Sequence, residues 1–258
     1  FLSEFNLSPI ETNRLINRDN LVSAEFQMLQ CFNNFINQLE VDFPSSFEIS
    51  LQARQCFNNA FGVKIESIIK KPDENILNWL NAEYELFKAI ENVRYTSVIN
   101  RSFQSVTEFI DLANSILNRR KSRAGKSLEN HLTEIFKLSN LKFESQASIE
   151  GNKKPDFLFP NALSYNDTSF NSHNLVFLAS KTTCKDRWRQ ILNEADRIET
   201  KHLFTLQQGI SINQLKEMYD YKVQLVVPKQ YISTFPVQFQ SQILSLSDFV
   251  GFVQSKQW

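Results

Sequence analysis

The chain has 258 residues, enough to bury a sizeable core as one large domain or as a core with an appended lobe. A composition of 42% hydrophobic and 22% charged residues excludes the disordered and collagen-like classes. Its 28 basic and 28 acidic side chains cancel to a formal charge of zero, and a zero taken over the whole chain argues against a polyanion partner.

That zero is a sum of unlike halves. Residues 1–98 carry 8 basic and 13 acidic side chains, whereas residues 99–258 carry 20 and 15. Within the second half, residues 119–189 hold 13 basic and 7 acidic groups, densest at Arg119-Arg120-Lys121-Ser122-Arg123. Such asymmetry points to a polyanion, against the plainer reading of a solvated basic face.

In chain order, residues 1–98 read as mostly helical. Phe26, Leu29, Phe32, Phe35 and Ile36 recur at helical spacing, as do Leu77, Leu80, Tyr84, Phe87 and Ile90. Ser105-Val106-Thr107-Glu108 is a capping box that opens a helix to about residue 117, and Leu128, Leu132, Ile135 and Phe136 mark another. The rhythm then changes to strands at 142–148, 155–159 and 174–179, the last an apolar run suited to a buried position. Residues 186–200 read as a helix with Trp188, Ile191, Leu192, Ala195 and Ile198 on one side, and strands at 202–207 and 222–227 flank a further helix. A meander followed by βαβ units predicts an α/β fold, one mixed sheet flanked by helices, with a helical lobe over 1–100 and a core over 101–258.

Cys31, Cys56 and Cys184 show no CxxC spacing, and His131, His173 and His202 form no ligand cluster, so neither a disulfide scaffold nor a zinc site is expected. A reducing compartment follows. No apolar run approaches the roughly 18 residues of a membrane helix, which predicts a cytoplasmic protein without membrane contact. The chain starts at Phe1 rather than at methionine, so a segment or a partner domain upstream is left open.

Three positions could carry chemistry. Asp156 begins a short strand, Lys181 stands just past the buried strand, 25 residues later, and Glu194 follows after another 13, on the helix predicted there. Neighbouring strands can set the first two side by side, with the third aimed at them. Two carboxylates suit Mg²⁺, and a lysine beside them suits phosphodiester hydrolysis. Taken singly each residue has an ordinary explanation as a turn, a strand end or a helix surface. Lys185-Asp186-Arg187-Trp188-Arg189 opens the predicted helix; its basic groups can donate to guanine and its carboxylate can accept from cytosine, which suits C·G pairs. Cations at a helix N-terminus also oppose the macrodipole, which invites an external anion. Trp188 reads as core.

These runs carry a family resemblance. Residues 118–129 (Asn118 through Glu129), 150–160 (Glu150 through Pro160) and 181–196 (Lys181 through Asp196) are similar to the catalytic domains of EcoRII-type restriction endonucleases, over about residues 43–236. The resemblance implies a PD-(D/E)xK nuclease fold and Mg²⁺-dependent double-strand cleavage at a short site of the CCWGG or CCNGG kind, leaving 5′-phosphates. It makes Asp156 and Glu194 metal ligands, Lys181 catalytic and Glu129 a further active-site acid. Lys185, Asp186 and Arg187 match the segment that reads the C·G pairs, and Asn118 the position near the central base pair. Arg119, Arg120, Lys121, Arg123 and Lys126 are then expected on the DNA backbone.

Two departures from the pattern stand out. The general motif has an acid two residues before the lysine, where this chain has Ala179; the resemblance places that acid on the following helix, as Glu194. Relatives that extrude bases hold them with an arginine and, four residues on, an aromatic. Here Tyr84 follows Leu80, so either the register slips to Trp79 or the pocket differs. Tyr165 also has a counterpart, read as a packing or phosphate contact.

A near-palindromic double-stranded DNA site predicts a homodimer, and a restriction enzyme implies a cognate DNA methyltransferase in a prokaryotic cell. The competing expectations are a DNA-binding module without cleavage, a fragment that requires an upstream effector domain, and an interaction protein that uses the acidic helical lobe.

Overall fold

The computed structural model describes residues 18–41 and 43–257. Among them the chain divides into two compact units, one of residues 18–64 and 77–131, the other of residues 65–76 and 132–257. Among the described residues five α-helices come first: α1 (Arg18–Asn37), α2 (Ser46–Phe61), α3 (Ile65–Lys70), α4 (Pro72–Ile99) and α5 (Val106–Leu138). Both unit boundaries that follow α3 fall inside helices, within α4 and within α5.

The first unit is helical. Phe32, Ile36, Ile49, Ala53, Cys56, Ala82, Leu86, Phe87 and Ile90 form its apolar cluster; Phe26 and Leu29, on the predicted stripe of α1, stay exposed. Ser45 and Glu48 close a reciprocal capping box at the start of α2, and Gly62 ends that helix at φ 61°, where a side chain would be strained. Cys31 and Cys56 are disulfide-bonded, with Cα atoms 5.6 Å apart. That corrects the expectation of unpaired thiols. A spacing of 25 residues carries no motif, and only the packing of α1 on α2 brings the two sulfurs together. A second correction concerns α5, which runs unbroken for 33 residues through the basic cluster where two helices were expected. Arginine and lysine are good helix formers, so the cluster continues the helix instead of ending it.

The second unit holds a six-stranded sheet: β1 (Glu144–Ser145), β2 (Phe157–Phe159), β3 (Val176–Lys181), β4 (Lys201–Thr205), β5 (Val223–Val227) and β6 (Leu244–Ser245), in that order across the sheet. β1, β2 and β3 pair antiparallel and β3 to β6 pair parallel, which is the predicted meander followed by parallel crossovers. The helices α6 (Ala162–Asn166), α7 (Ile212–Asp220), α8 (Val237–Gln240) and α9 (Leu246–Gln257) intervene or follow. The strand expected over 142–148 shrinks to two residues, and β6 with α9 was not anticipated. Phe136, at the end of α5, stands edge-on to Phe157 and Phe159 and within 6.1 Å of Phe249, an aromatic block between the sheet and α9. The N-terminus of α9 is capped from far away: Asp73 accepts from the backbone N–H groups of Leu246 and Ser247 at 2.8 and 3.0 Å and from Lys229 at 2.9 Å, while burial pushes its own carboxyl pKa up.

His202, in β4, is buried between the rings of Phe249 and Phe252, and burial pushes its pKa down to about 4. The unfolded chain therefore takes up the proton first, so the stabilising contribution of neutral His202 is complete above pH 6.5 and is lost as the pH falls from there toward 4. By pH 4 the loss from this group is about 3 kcal/mol. In urea melts at pH 7 and pH 5, His202→Phe is expected to lose less stability than the native chain between the two; equal losses in both proteins would exclude the assignment.

Candidate active site

Asp156 directly precedes β2, and Ser180 and Lys181 end β3. Phe157 pairs with Leu178, so the antiparallel register sets the Asp156 carboxylate beside the end of β3. Asp156 is 8% exposed. Its Oδ2 accepts from the Ser180 N–H at 2.8 Å, the Ser180 hydroxyl at 3.4 Å and the Lys181 ammonium at 2.9 Å. Its Oδ1 accepts from the Gln146 amide at 3.3 Å. Ala179, where the general motif has an acid, is buried in the strand.

Glu194 interacts electrostatically with Asp156 and Lys181, though not from an α-helix. Residues Lys185–Asn193 form a 3₁₀-helix, and Glu194 is its C-cap, in extended conformation at φ −103° and ψ 143°. Of the predicted apolar stripe, Trp188, Ile191, Ala195 and Ile198 are buried and Leu192 is half-buried, while the helical period is absent. Ala195 turns the chain at φ 53°. Burial raises the Glu194 pKa; Lys181 opposes that shift and the Asp156 charge adds to it. One environment thus couples Asp156, Lys181 and Glu194.

Among the described residues no three His, Cys, Asp or Glu side chains converge on a cation. Glu194 shares the electrostatic environment of Asp156: burial first, and the Asp156 charge after it, raise its pKa, and a divalent cation would relieve both. A hard cation that keeps several waters and accepts one or two carboxylates fits this donor set better than an all-protein cage does.

Sequence reasoning missed the polar groups around the segment after Glu194. Glu150 Oε1 accepts from the Tyr165 hydroxyl at 2.6 Å and from the Asp196 N–H at 2.8 Å, and the Tyr165 hydroxyl accepts from the Arg197 N–H at 3.2 Å. Tyr165, read from the sequence as a packing or phosphate contact in a loop, is buried in α6. Its pKa is raised by burial and by Glu150. Lys201, buried at the start of β4, carries no motif.

The remaining predicted residues belong to the helical unit, apart from Lys185, Asp186 and Arg187, whose side chains lie outside the described residues. Asn118, Lys121 and Lys126 are exposed on α5, and Glu129 is half-buried. Arg119 donates to the Tyr95 hydroxyl, with its guanidinium 4.7 Å from the Phe43 ring centre. Two expected backbone contacts are instead engaged within the protein. Arg120 grips Glu91 through two nitrogens at 2.7 to 3.2 Å. Arg123 is 5% exposed, donates to the Pro44 and Ser45 carbonyls, and stacks 4.9 Å from the Phe87 ring centre; burial lowers its pKa to about 10. In a basic helical run, the position that faces the apolar cluster becomes structural whatever its charge. Tyr84 is half-buried under Lys88, 5.0 Å from its ring centre. Trp79 is 0% exposed and donates to Asn58 Oδ1 at 2.8 Å, so its indole offers no open face for a base.

The fold, with this sheet order, is that of restriction endonucleases. Metal-depleted Ecl18kI in complex with uncleaved DNA superposes with a TM-score of 0.69 at 20% identity, over 92% of this chain and 86% of that one. A complex of restriction endonuclease PspGI with substrate DNA gives 0.65 at 15% identity, over 83% and 93%. Residues 87–250 match the family described as EcoRII C terminal, and the chain belongs to that family. It is 52% identical over 181 residues to the type II restriction enzyme EcoRII of Escherichia coli, covering 70% of this chain and 45% of that protein. It is 24% identical over 176 residues to the type II restriction enzyme SsoII of Shigella sonnei, covering 64% and 56%. The chain spans about half the length of these curated relatives. No helix among the described residues is long and apolar enough to cross a membrane.

The separation of roles along α5 can be measured. Arg123→Ala is expected to cost roughly 3 kcal/mol of stability, because two carbonyls lose a charged donor and two rings lose a stacked cation. Lys121→Ala should stay within about 0.5 kcal/mol of the native chain. Equal losses in chemical denaturation would contradict the assignment.

Proposed function

We propose that this chain is the catalytic part of a type II restriction endonuclease that makes Mg²⁺-dependent double-strand cuts in DNA at a CC/GG-containing site of the CCWGG or CCNGG type. The observation that carries this reading is the Asp156–Lys181 pair at 2.9 Å on neighbouring strands, with Glu194 in the same electrostatic environment. That two structural neighbours were solved on DNA supports it.

Asp156 and Glu194 would hold the cation, which would supply Lewis acidity and make a bound water more acidic than bulk water. The Ser180 N–H and the β2–β3 register hold Asp156 in place for that task. Lys181, drawn toward Asp156, positions the attacking water and offsets charge on the scissile phosphate as the 3′-oxygen leaves, so that 5′-phosphate ends result.

Asn118 is assigned to the central base pair, and Lys185, Asp186 and Arg187 to the C·G pairs. Arg119, Lys121 and Lys126 are assigned to phosphates. Tyr84 is the candidate aromatic for an extruded base, without the arginine that Leu80 replaces. A homodimer fits a near-palindromic site, and a cognate methyltransferase would protect the host DNA.

The test is incubation of the purified chain and Mg²⁺ with a plasmid that carries CCWGG and CCNGG sites, followed by run-off sequencing of the products. Cuts at one of these sites are expected, with DNA affinity that falls steeply as salt rises. Asp156→Asn, Lys181→Ala and Glu194→Ala should each lower cleavage about a hundredfold or more while DNA is still bound. An uncut plasmid at every salt concentration tried would remove the reading.

A further inference from the structure

Lysine is rarely buried without a carboxylate to pair with, yet Lys201 is 5% exposed and its ammonium is spent on main-chain oxygens. From the first position of β4 it reaches back to the carbonyl of Ala195 and to that of Ile198, the latter at 2.6 Å. Both lie in the turn that follows Glu194. Ala195 is in the left-handed region at φ 53°, a conformation that costs a non-glycine residue and persists only where its surroundings fix it. Its carbonyl also accepts the Ile198 N–H at 2.9 Å. On the same turn, Glu150 takes the Asp196 N–H at 2.8 Å. Besides the turn bond between Ala195 and Ile198, the backbone polar groups of this short stretch are met by side chains from elsewhere in the unit: the charged groups of Lys201 and Glu150, and the Tyr165 hydroxyl that takes the Arg197 N–H. Regular secondary structure meets none of them.

We propose that Lys201 is a positioning residue for Glu194: its buried ammonium holds the Ala195 and Ile198 carbonyls, and so fixes the turn from which the Glu194 carboxylate joins the Asp156–Lys181 pair. The proposal rests on the reading of Glu194 as a metal ligand. Without the ammonium, two buried carbonyls lose a charged donor and the strained turn loses what holds it. Glu194 would then spread over several positions, and cation affinity would fall before the fold does. The charge also suits the place, because Glu150, Asp196 and Glu194 all favour the protonated amine against its burial.

The test compares Lys201→Met and Glu194→Ala with the native full chain. Mn²⁺ is titrated into the DNA-free protein and free ion is followed by its paramagnetic signal. Single-turnover cleavage is measured against Mg²⁺ concentration, and DNA binding is measured without metal. Lys201→Met should raise both metal midpoints about tenfold or more, the usual cost of removing a group that orients a ligand, with metal-free DNA affinity within about threefold of native. A smaller shift in the midpoints overturns the proposal, even with a lowered melting temperature, and makes Lys201 a stability residue only. Native Mn²⁺ binding and cleavage in Glu194→Ala would instead sink the reading of Glu194 itself, and the proposal with it. Should Lys201→Met not fold, Lys201→Gln, which keeps one neutral donor, is judged by the same midpoints and the same threshold.

Discussion

Asp156 is 8% exposed, and a carboxylate so little hydrated has to be matched by donors. Gln146 donates to one oxygen, and the end of β3 supplies the donors to the other: the Ser180 N–H and hydroxyl and the Lys181 ammonium. Only one register of β2 against β3 allows this. A slip of one residue would turn Lys181 to the opposite face of the sheet and leave Asp156 facing an apolar strand. The same register places Phe157 and Phe159 against Phe136, so the packing of α5 on the sheet and the charge pair at its edge select one arrangement. Core and site are therefore not independent here. The aromatic block enforces the register, and the register makes the pair.

Glu194 has no comparable strand to hold it. It comes from a 3₁₀-helix and a left-handed turn, structures with weak intrinsic preference, and its place is set by side chains that reach in from β4 and from the Glu150 segment. This division of labour explains why Asp156 and Lys181 could be placed together from strand spacing, while the helix expected to carry Glu194 was not found. The buried stripe of Trp188, Ile191, Ala195 and Ile198 looks helical in sequence because burial alone was read. Hydrogen bonds donated by Lys201 and accepted by Glu150 hold the backbone instead, and neither residue is singled out by sequence as a site residue.

The same limit governs the other surprises. The α/β class, the meander and the parallel crossovers were legible because apolar runs and turn residues encode them locally. The disulfide between Cys31 and Cys56, and the capping of α9 by Asp73 across 173 residues, were not, since nothing local announces a contact made only by tertiary packing. The unbroken α5 is the opposite case. Local propensity favoured it throughout, and a cluster of charge was mistaken for a boundary.

Charge composition needs the same discrimination. The surplus of cations over residues 119–189 looked like a single basic surface, but a guanidinium is also a long planar apolar group, and burial of its stem and face is favourable when carbonyls or a carboxylate receive its donors. Arg123 satisfies that condition with Pro44 and Ser45, and Arg120 with Glu91. What α5 presents to a polyanion is then set by its helical phase. Asn118, Lys121 and Lys126 point outward, while Arg123 points to the apolar cluster, only two positions from Lys121. A net charge, whether zero over the chain or positive over a segment, counts these alike. Phase on the helix separates the cations that hold the fold from those that can meet a phosphate.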